Sequence, residues 1–236
     1  MNGSPALAVS FFDPEHALNA ALRSGLSVLF EGRNSRPLEG AAVIEPTEAG
    51  WRAASGGDVA LDLERVLDPV ELGGAAITLC RATGTAGDRP VSGLATVTET
   101  REPPSWEELE AVRGISALFD ERSAIMATTR RPAGADGHGE EQARAVLVAD
   151  GEPLGVEDVR VSTVYDADGR QRTSGLELWL PGEEWPRRAF GSAVAGTSLQ
   201  LEGLVVHSAV FSWRMEGRAG IGAYDLVVRD RPPVAA

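Results

Sequence analysis

Runs of alternating apolar and polar residues, cut at short intervals by glycine-containing turns, make up most of the chain and restrict what it can fold into. A period of two sends successive side chains to opposite faces, as half-buried antiparallel strands require. The runs at 159–165, 176–180, 198–215 and 222–229 carry the pattern most clearly. Between such runs stand Asp136-Gly137, Asp150-Gly151, Asp168-Gly169 and Glu216-Gly217, pairs whose glycine accepts the positive φ of a tight hairpin. Residues 165–170 form the clearest hairpin loop. The expected core draws on Leu176, Leu178, Leu180, Val205, Phe211, Trp213, Leu226 and Val228.

Two segments carry helix signals. Ser105 and Glu108, just after Pro103-Pro104, form a capping box that predicts a short helix over 106–113. Asp13-Pro14 offers an N-cap and a first-turn proline ahead of Ala17, Leu18, Ala21 and Leu22, which share one helical face before Gly25. That second helix competes with an extended strand. The double proline divides the chain into two β-rich halves, 1–104 and 105–236, joined by a short connector. No short internal repeat is visible, and no segment is long and apolar enough to span a membrane.

Charge narrows the function classes. With 35 acidic against 22 basic residues the net charge is −13, so no basic face is expected to draw nucleic acid. Every basic residue is arginine, and without lysine the chain has no Schiff-base nucleophile, no internal aldimine with a pyridoxal cofactor and no P-loop. The single Cys80 can form neither an intrachain disulfide nor a thiolate cluster and is expected to pack as a small buried hydrophobe. The N-terminus lacks a charged, then apolar, leader pattern, so a cytoplasmic location is expected.

Local motifs for familiar chemistry fail on mechanics. Gly217, Gly220 and Gly222 are closely spaced, but a phosphate cradle needs a helix after it and strands flank this segment, so a turn or bulge is expected. Asp166, Asp168 and Glu177 match the first, third and last positions of a calcium loop, yet Gln171 stands where that loop requires glycine. His138 with Glu140 and Glu141 has no helical ligand spacing, His16 and His207 lie far apart, and no metal is expected. No nucleophile elbow is present. His207 shares a strand face with Ala209, Phe211, Trp213 and Met215, as either a hydrogen-bonded core residue or part of a cavity wall. Trp51, Trp106, Trp179, Trp185 and Trp213 serve packing or the wall of an apolar ligand cavity.

Residues 213–225, WRMEGRAGIGAYD, resemble the closing hairpin of the lipocalin-like carotenoid hydratase and AttH-type superfamily. Asp120-Glu121-Arg122-Ser123 resembles the segment that opens that superfamily's second half, and Gly175-Leu176-Glu177-Leu178 its central strand. Phe11-Phe12-Asp13-Pro14 is loosely similar to the start of its first barrel. Ala124-Ile125 stands where relatives carry Trp-Gly, and Asp225 where they carry Glu. The resemblance covers most of 115–230. It implies an all-β fold of two successive lipocalin-like antiparallel β-barrel halves, here with one or two short helices, and an apolar ligand held in or between them. Relatives include hydratases of carotenoid double bonds and cyclases that fold polyenes or polyketides, Diels–Alder-type enzymes among them.

The function so implied is a cofactor-independent cyclase, isomerase or hydratase acting on a hydrophobic natural product, with a non-catalytic lipid or steroid carrier as the alternative. Such cyclisation needs chiefly a cavity that holds the reacting carbons together and a donor that polarises a carbonyl. The expected partner is a hydrophobic small molecule, with a homodimer left open. Asp225, Asp120 and His207 are the candidate catalytic residues, and Trp213, Tyr224, Phe211 and Trp179 the candidate pocket walls. Arg122 and Arg214 complete the candidate substrate-binding set and are also candidate partners of Asp225, which acts either in a structural clamp or as a proton donor or hydrogen-bond anchor for substrate.

Overall fold

The computed structural model describes residues 6–135 and 140–230, so the Asp136-Gly137 turn and His138 lie outside the described residues. The first ten strands are β1 (Ala6–Asp13), β2 (Leu18–Arg23), β3 (Ser27–Glu31), β4 (Asn34–Leu38), β5 (Val43–Pro46), β6 (Gly50–Ser55), β7 (Val59–Arg65), β8 (Val70–Leu72), β9 (Ala75–Ala86) and β10 (Arg89–Thr100). They form one antiparallel sheet in the order β4-β3-β2-β1-β10-β9-β7-β6-β5, with β8 pairing β9. The second sheet contains β11 (Leu109–Asp120), β12 (Ser123–Pro132), β13 (Gln142–Ala149), β14 (Glu152–Gly155), β15 (Asp158–Tyr165), β16 (Gln171–Trp179), β17 (Arg187–Leu201), β18 (Leu204–Met215) and β19 (Arg218–Arg229). Its order is β14-β13-β12-β11-β19-β18-β17-β16-β15.

Apart from β8, the two orders are the same plan executed twice, each with the first strand of its half paired to the last at the middle of the sheet. Each sheet curls around its own core. In the first, Phe11, Leu18, Leu22, Leu29, Leu61 and Leu63 pack together with Trp51. In the second, Leu176, Leu178, Phe211, Trp213, Tyr224 and Leu226 do so. The expected core is found there, with Val228 packed against it and only half-buried, while Val205 is half-buried outside that cluster. A third cluster joins the halves, setting Phe12, Val28 and Phe30 of the first sheet against Leu118, Met126 and Val210 of the second. Cys80 is fully buried in the first barrel, and burial pushes its thiol up to about 12.

The hairpins follow the turn chemistry. Asp150-Gly151 and Glu216-Gly217 place both residues at positive φ, and Gly169 does so alone. The run at 198–215 is two strands, because Glu202 and Gly203 also take positive φ and reverse the chain.

The helix expected over 106–113 is instead a turn leading into β11, and after Asp13 the extended alternative holds. The Glu108 amide donates to the Ser105 carbonyl at 3.1 Å in a single turn, and β11 begins at the next residue. There Ala111, Ile115 and Ala117 alternate into the second core, so burial overrides the capping signal. At the other segment, Asp13 receives hydrogen bonds from the His16 amide and imidazole, but Ala17 at φ 52 turns the chain back into β2. Leu18, Ala20 and Leu22 face the first core while Ala21 faces the other half. A strand buried on both faces thus supplies the apolar residues that imitate a helical stripe.

Close strand crossing explains the glycines after the last hairpin. A Cβ at Gly222 would stand 1.9 Å from the Ser116 carbonyl oxygen, and one at Gly93, in the equivalent strand of the first half, 1.9 Å from that of Phe12. Gly222→Ala should therefore destabilise the protein by about 3 kcal/mol. Gly155→Ala, where a Cβ meets nothing within 4 Å, should change stability by less than about 0.5 kcal/mol. Urea midpoints at constant slope measure both, and equal midpoints for the two variants would contradict the crossing.

Candidate functional site

The central strands have two buried faces with different contents. Inner-face residues fill the barrels, whereas outer-face residues meet the other half, and at one end of that junction they become small. On the first half Ala6, Ala8 and Ser10 of β1 lie beside Thr100, Thr98 and Thr96 of β10. On the second half Val112, Gly114 and Ser116 of β11 lie beside Val227, Asp225 and Ala223 of β19. A cleft of about 560 Å³ opens between these walls. Trp106, Glu102 and Arg130 flank it, and Leu201 and Leu204, from either side of the β17–β18 turn, also line it. Farther along the junction the third apolar cluster closes the interface.

One charged pair crosses the cleft. Arg23, the last residue of β2, donates through Nη2 to Asp225 Oδ2. Their side chains retain only 25% and 20% exposure, and two of their atoms, Arg23 Nη1 and Asp225 Oδ1, are buried without a hydrogen-bond partner. A donor and an acceptor are thus left unsatisfied at the wall of a mainly apolar cleft, while the rest of each charged group keeps some exposure there, and charged groups so placed orient a ligand's polar atoms. The halves are tied elsewhere by Arg81, which grips Glu121 at 2.9 and 2.8 Å, and by Arg130, which donates to the Gly73 carbonyl at 2.5 Å.

Of the residues selected from sequence, Asp225 is in the cleft, but its partner comes from the first half. Arg214 lies exposed on the outside of the second barrel, and Arg122 is exposed and donates to the Asp150 carbonyl. Neither reaches Asp225. Asp120 stands six residues along β11 from Gly114, the register partner of Asp225, or about 20 Å at the ordinary strand rise. It accepts from the Arg122 amide at 2.7 Å and pairs with Arg218. Adjacent strand residues face opposite ways, so Tyr224 points into the second barrel, packed with Phe211 and Trp213 at centroid distances of 5.3 Å from Phe211 to Tyr224 and 5.5 Å from Phe211 to Trp213. Those three side chains fill that core and do not line the cleft. Trp179 is half-buried outside the core cluster, with the Arg160 guanidinium 5.8 Å from its ring centre.

The second barrel has a polar end of its own. Arg113 pairs with Glu141, both almost fully buried, and Thr129 donates to Glu141 at 2.5 Å. The Tyr224 hydroxyl meets Thr163 Oγ1 at 2.7 Å, and burial raises its pKa. Gln171 donates to the carbonyls of His207 and Tyr224, both at 3.2 Å. His207 Nδ1 lies 2.8 Å from Ser198 Oγ, so His207 is the hydrogen-bonded core histidine of the two alternatives. Asp166 accepts from the Asp168 and Arg170 amides at 2.9 Å each, the wiring of a hairpin loop. Among the described residues no three of His, Cys, Asp and Glu converge as metal ligands, and no helix is long and apolar enough to cross a membrane.

Sequence reasoning passed over Arg23, the threonine ladder and Gly114, and left Trp106 between packing and cavity wall; the structure places it beside the cleft. The ladder was readable, since Thr96, Thr98 and Thr100 alternate with Val97 and Glu99. Arg23 carries no local signal, because its role depends on a partner 202 residues away.

The geometry is that of a two-half lipocalin-like β-barrel protein with its cleft between the halves. Solved structures share that architecture. The chain is similar to an AttH candidate from Nitrosomonas europaea, with 13% identity, a TM-score of 0.66, and 94% of this chain and 90% of that chain covered. It is also similar to kievitone hydratase from Nectria haematococca, with 11% identity, a TM-score of 0.57, and 96% and 89% covered. No family model matches the chain, and no curated protein matches it in sequence. At these identities the likeness is one of fold, the two successive lipocalin-like β-barrel halves that the C-terminal motifs implied.

His207 also sets a pH dependence. Burial lowers its pKa, with Asp166 opposing that shift and Arg170 adding to it. The folded state then binds fewer protons than the unfolded state, so this residue's contribution to stability falls as pH drops through the ordinary histidine range. Urea unfolding at about pH 7 and about pH 5 should show a loss of stability that is smaller in His207→Gln. An unchanged pH slope in the variant would contradict this.

Proposed function

We propose that the protein is an enzyme that adds water or an internal nucleophile across an activated double bond of a hydrophobic polyene or polyketide bound in the cleft. The observation that carries this reading is the Arg23–Asp225 pair, a partly exposed cation and carboxylate with unsatisfied hydrogen-bonding capacity lining a mainly apolar cleft. Arg23 donates to a ligand carbonyl and withdraws electron density from the conjugated carbon beyond it. The Asp225 carboxylate accepts the proton released when a water oxygen, or a hydroxyl of the same molecule, bonds to that carbon. The resulting carboxylic acid delivers the proton to the carbon next to the carbonyl. The double bond is consumed, the carboxylate is restored, and the product is hydrated or cyclised. The small side chains of both walls contribute by holding the reacting atoms together in an enclosed apolar space. The fold shared with kievitone hydratase is consistent with this class.

The test separates chemistry from clamping. Asp225→Asn or Arg23→Gln alone leaves an unpaired charge and should cost about 1–2 kcal/mol, less than for a fully buried pair because both side chains keep some solvent contact. The double variant removes both charges at nearly constant shape and should be more stable than either single variant. It should nevertheless lose about 100-fold or more in turnover of polyene and polyketide enones, followed by chromatography and mass spectrometry. Tight ligand binding by the wild type with no product from any member of such a panel would make the protein a carrier and overturn the enzymatic reading.

A further inference from the structure

Most in-strand glycines of this protein have a packing reason. A Cβ would meet backbone at 2.1 Å at Gly50, 2.0 Å at Gly84, and 1.9 Å at both Gly93 and Gly222. Gly114 has none. A Cβ there meets nothing within 4 Å, and its φ lies outside the left-handed region, so neither crowding nor backbone conformation requires glycine. It sits in the middle of β11, where glycine weakens a strand, and it is exposed while the next four residues, Ile115 to Leu118, are buried. Its register partners are Asp225 on β19 and Thr128 on β12, and its missing side chain points into the cleft.

We propose that Gly114 is the specificity-determining position of the cleft, a gap in the wall beside Asp225 that admits a flat, fused-ring or conjugated ligand with an oxygen substituent. This rests on the cleft being the ligand site. The walls are sheet faces, and the β1 and β10 residues opposite the second half, Ala6, Ala8, Ser10 and the three threonines, are short, while longer side chains such as Leu26, Leu72 and Ile77 also line the cleft. Two sheet faces separated by small residues enclose a slot, which a planar ring system fills with contact on both sides and a globular molecule does not. At Gly114 the wall leaves space that a Cβ would enter without contact, and the register partner there is Asp225, which pairs with Arg23, so the ligand's oxygen-bearing ring belongs there. Any side chain at 114 occupies the space that this ring needs.

The experiment compares 1-hydroxypyrene, flat and hydroxylated, with 1-adamantanol, a globular alcohol. Wild type should bind 1-hydroxypyrene by fluorescence titration at least about tenfold more tightly than it binds 1-adamantanol measured by competition. Gly114→Ala should weaken 1-hydroxypyrene about tenfold and Gly114→Val about 100-fold, as expected when added carbons fill a ligand pocket. Melting temperatures should stay at or above that of the wild type, because strand propensity improves and no atom is displaced. Wild-type affinity in Gly114→Val, or equal binding of the two alcohols, would overturn the proposal while leaving the cleft as the site. No binding of 1-hydroxypyrene by the wild type, or an affinity unchanged by the Arg23→Gln and Asp225→Asn double variant, would instead remove the cleft as the site and the proposal with it.

Discussion

The constraint on which the rest depends is that the central strands β1, β10, β11 and β19 must cover both of their faces. Each is paired on both edges, and its inner residues fill a barrel. The outer residues therefore cannot be left to water unless they are small or polar. Where they are Phe12, Leu94, Leu118 and Ile221, the halves close on each other in an apolar interface. Where they are Ala8, Thr98, Gly114 and Asp225, the same two sheets stand apart and a cleft results. A single alternation of side chains thus builds two cores, one interface and one site.

The duplicated strand order makes the junction nearly symmetric, and its chemistry comes from where the halves differ. Both halves bring a glycine on the last strand against a carbonyl of the first, which lets the central pair cross closely. Charge is contributed unequally, with the cation at the end of β2 in one half and the carboxylate in β19 of the other. Neither half holds the pair alone. The pair exists only in the assembled molecule, and because the ion pair proposed to serve the chemistry also ties the halves together, single-charge variants should combine losses of activity and stability.

The all-β class, most hairpins and the C-terminal core were legible in the sequence, because each is set by local alternation and turn chemistry. Leu176, Leu178, Phe211 and Trp213 pack where their period places them. The helix expected near residue 106 gave way for a tertiary reason, since β11 is claimed by the second barrel in spite of its capping box, and near residue 13 the extended alternative prevailed because β2 buries both faces. Of the residues selected for the site, Asp225 lies in the cleft between the halves, whereas Tyr224, Phe211 and Trp213 lie in the interior of the second barrel. In a protein with two kinds of apolar enclosure, alternation tells which residues share a face and not which enclosure that face meets. Arg23 was beyond reach, since its role is created by the packing of two sheets.

The central claim, that ligands are held between the halves at the Arg23–Asp225 pair, is tested most directly by a crystal structure of the protein soaked with 1-hydroxypyrene. The account predicts the ring system lying between β1 and β10 on one side and β11 and β19 on the other, with its oxygen within hydrogen-bond distance of Arg23 or Asp225. A ring system bound inside the second barrel among Phe211, Trp213 and Tyr224, with the cleft empty, would contradict it.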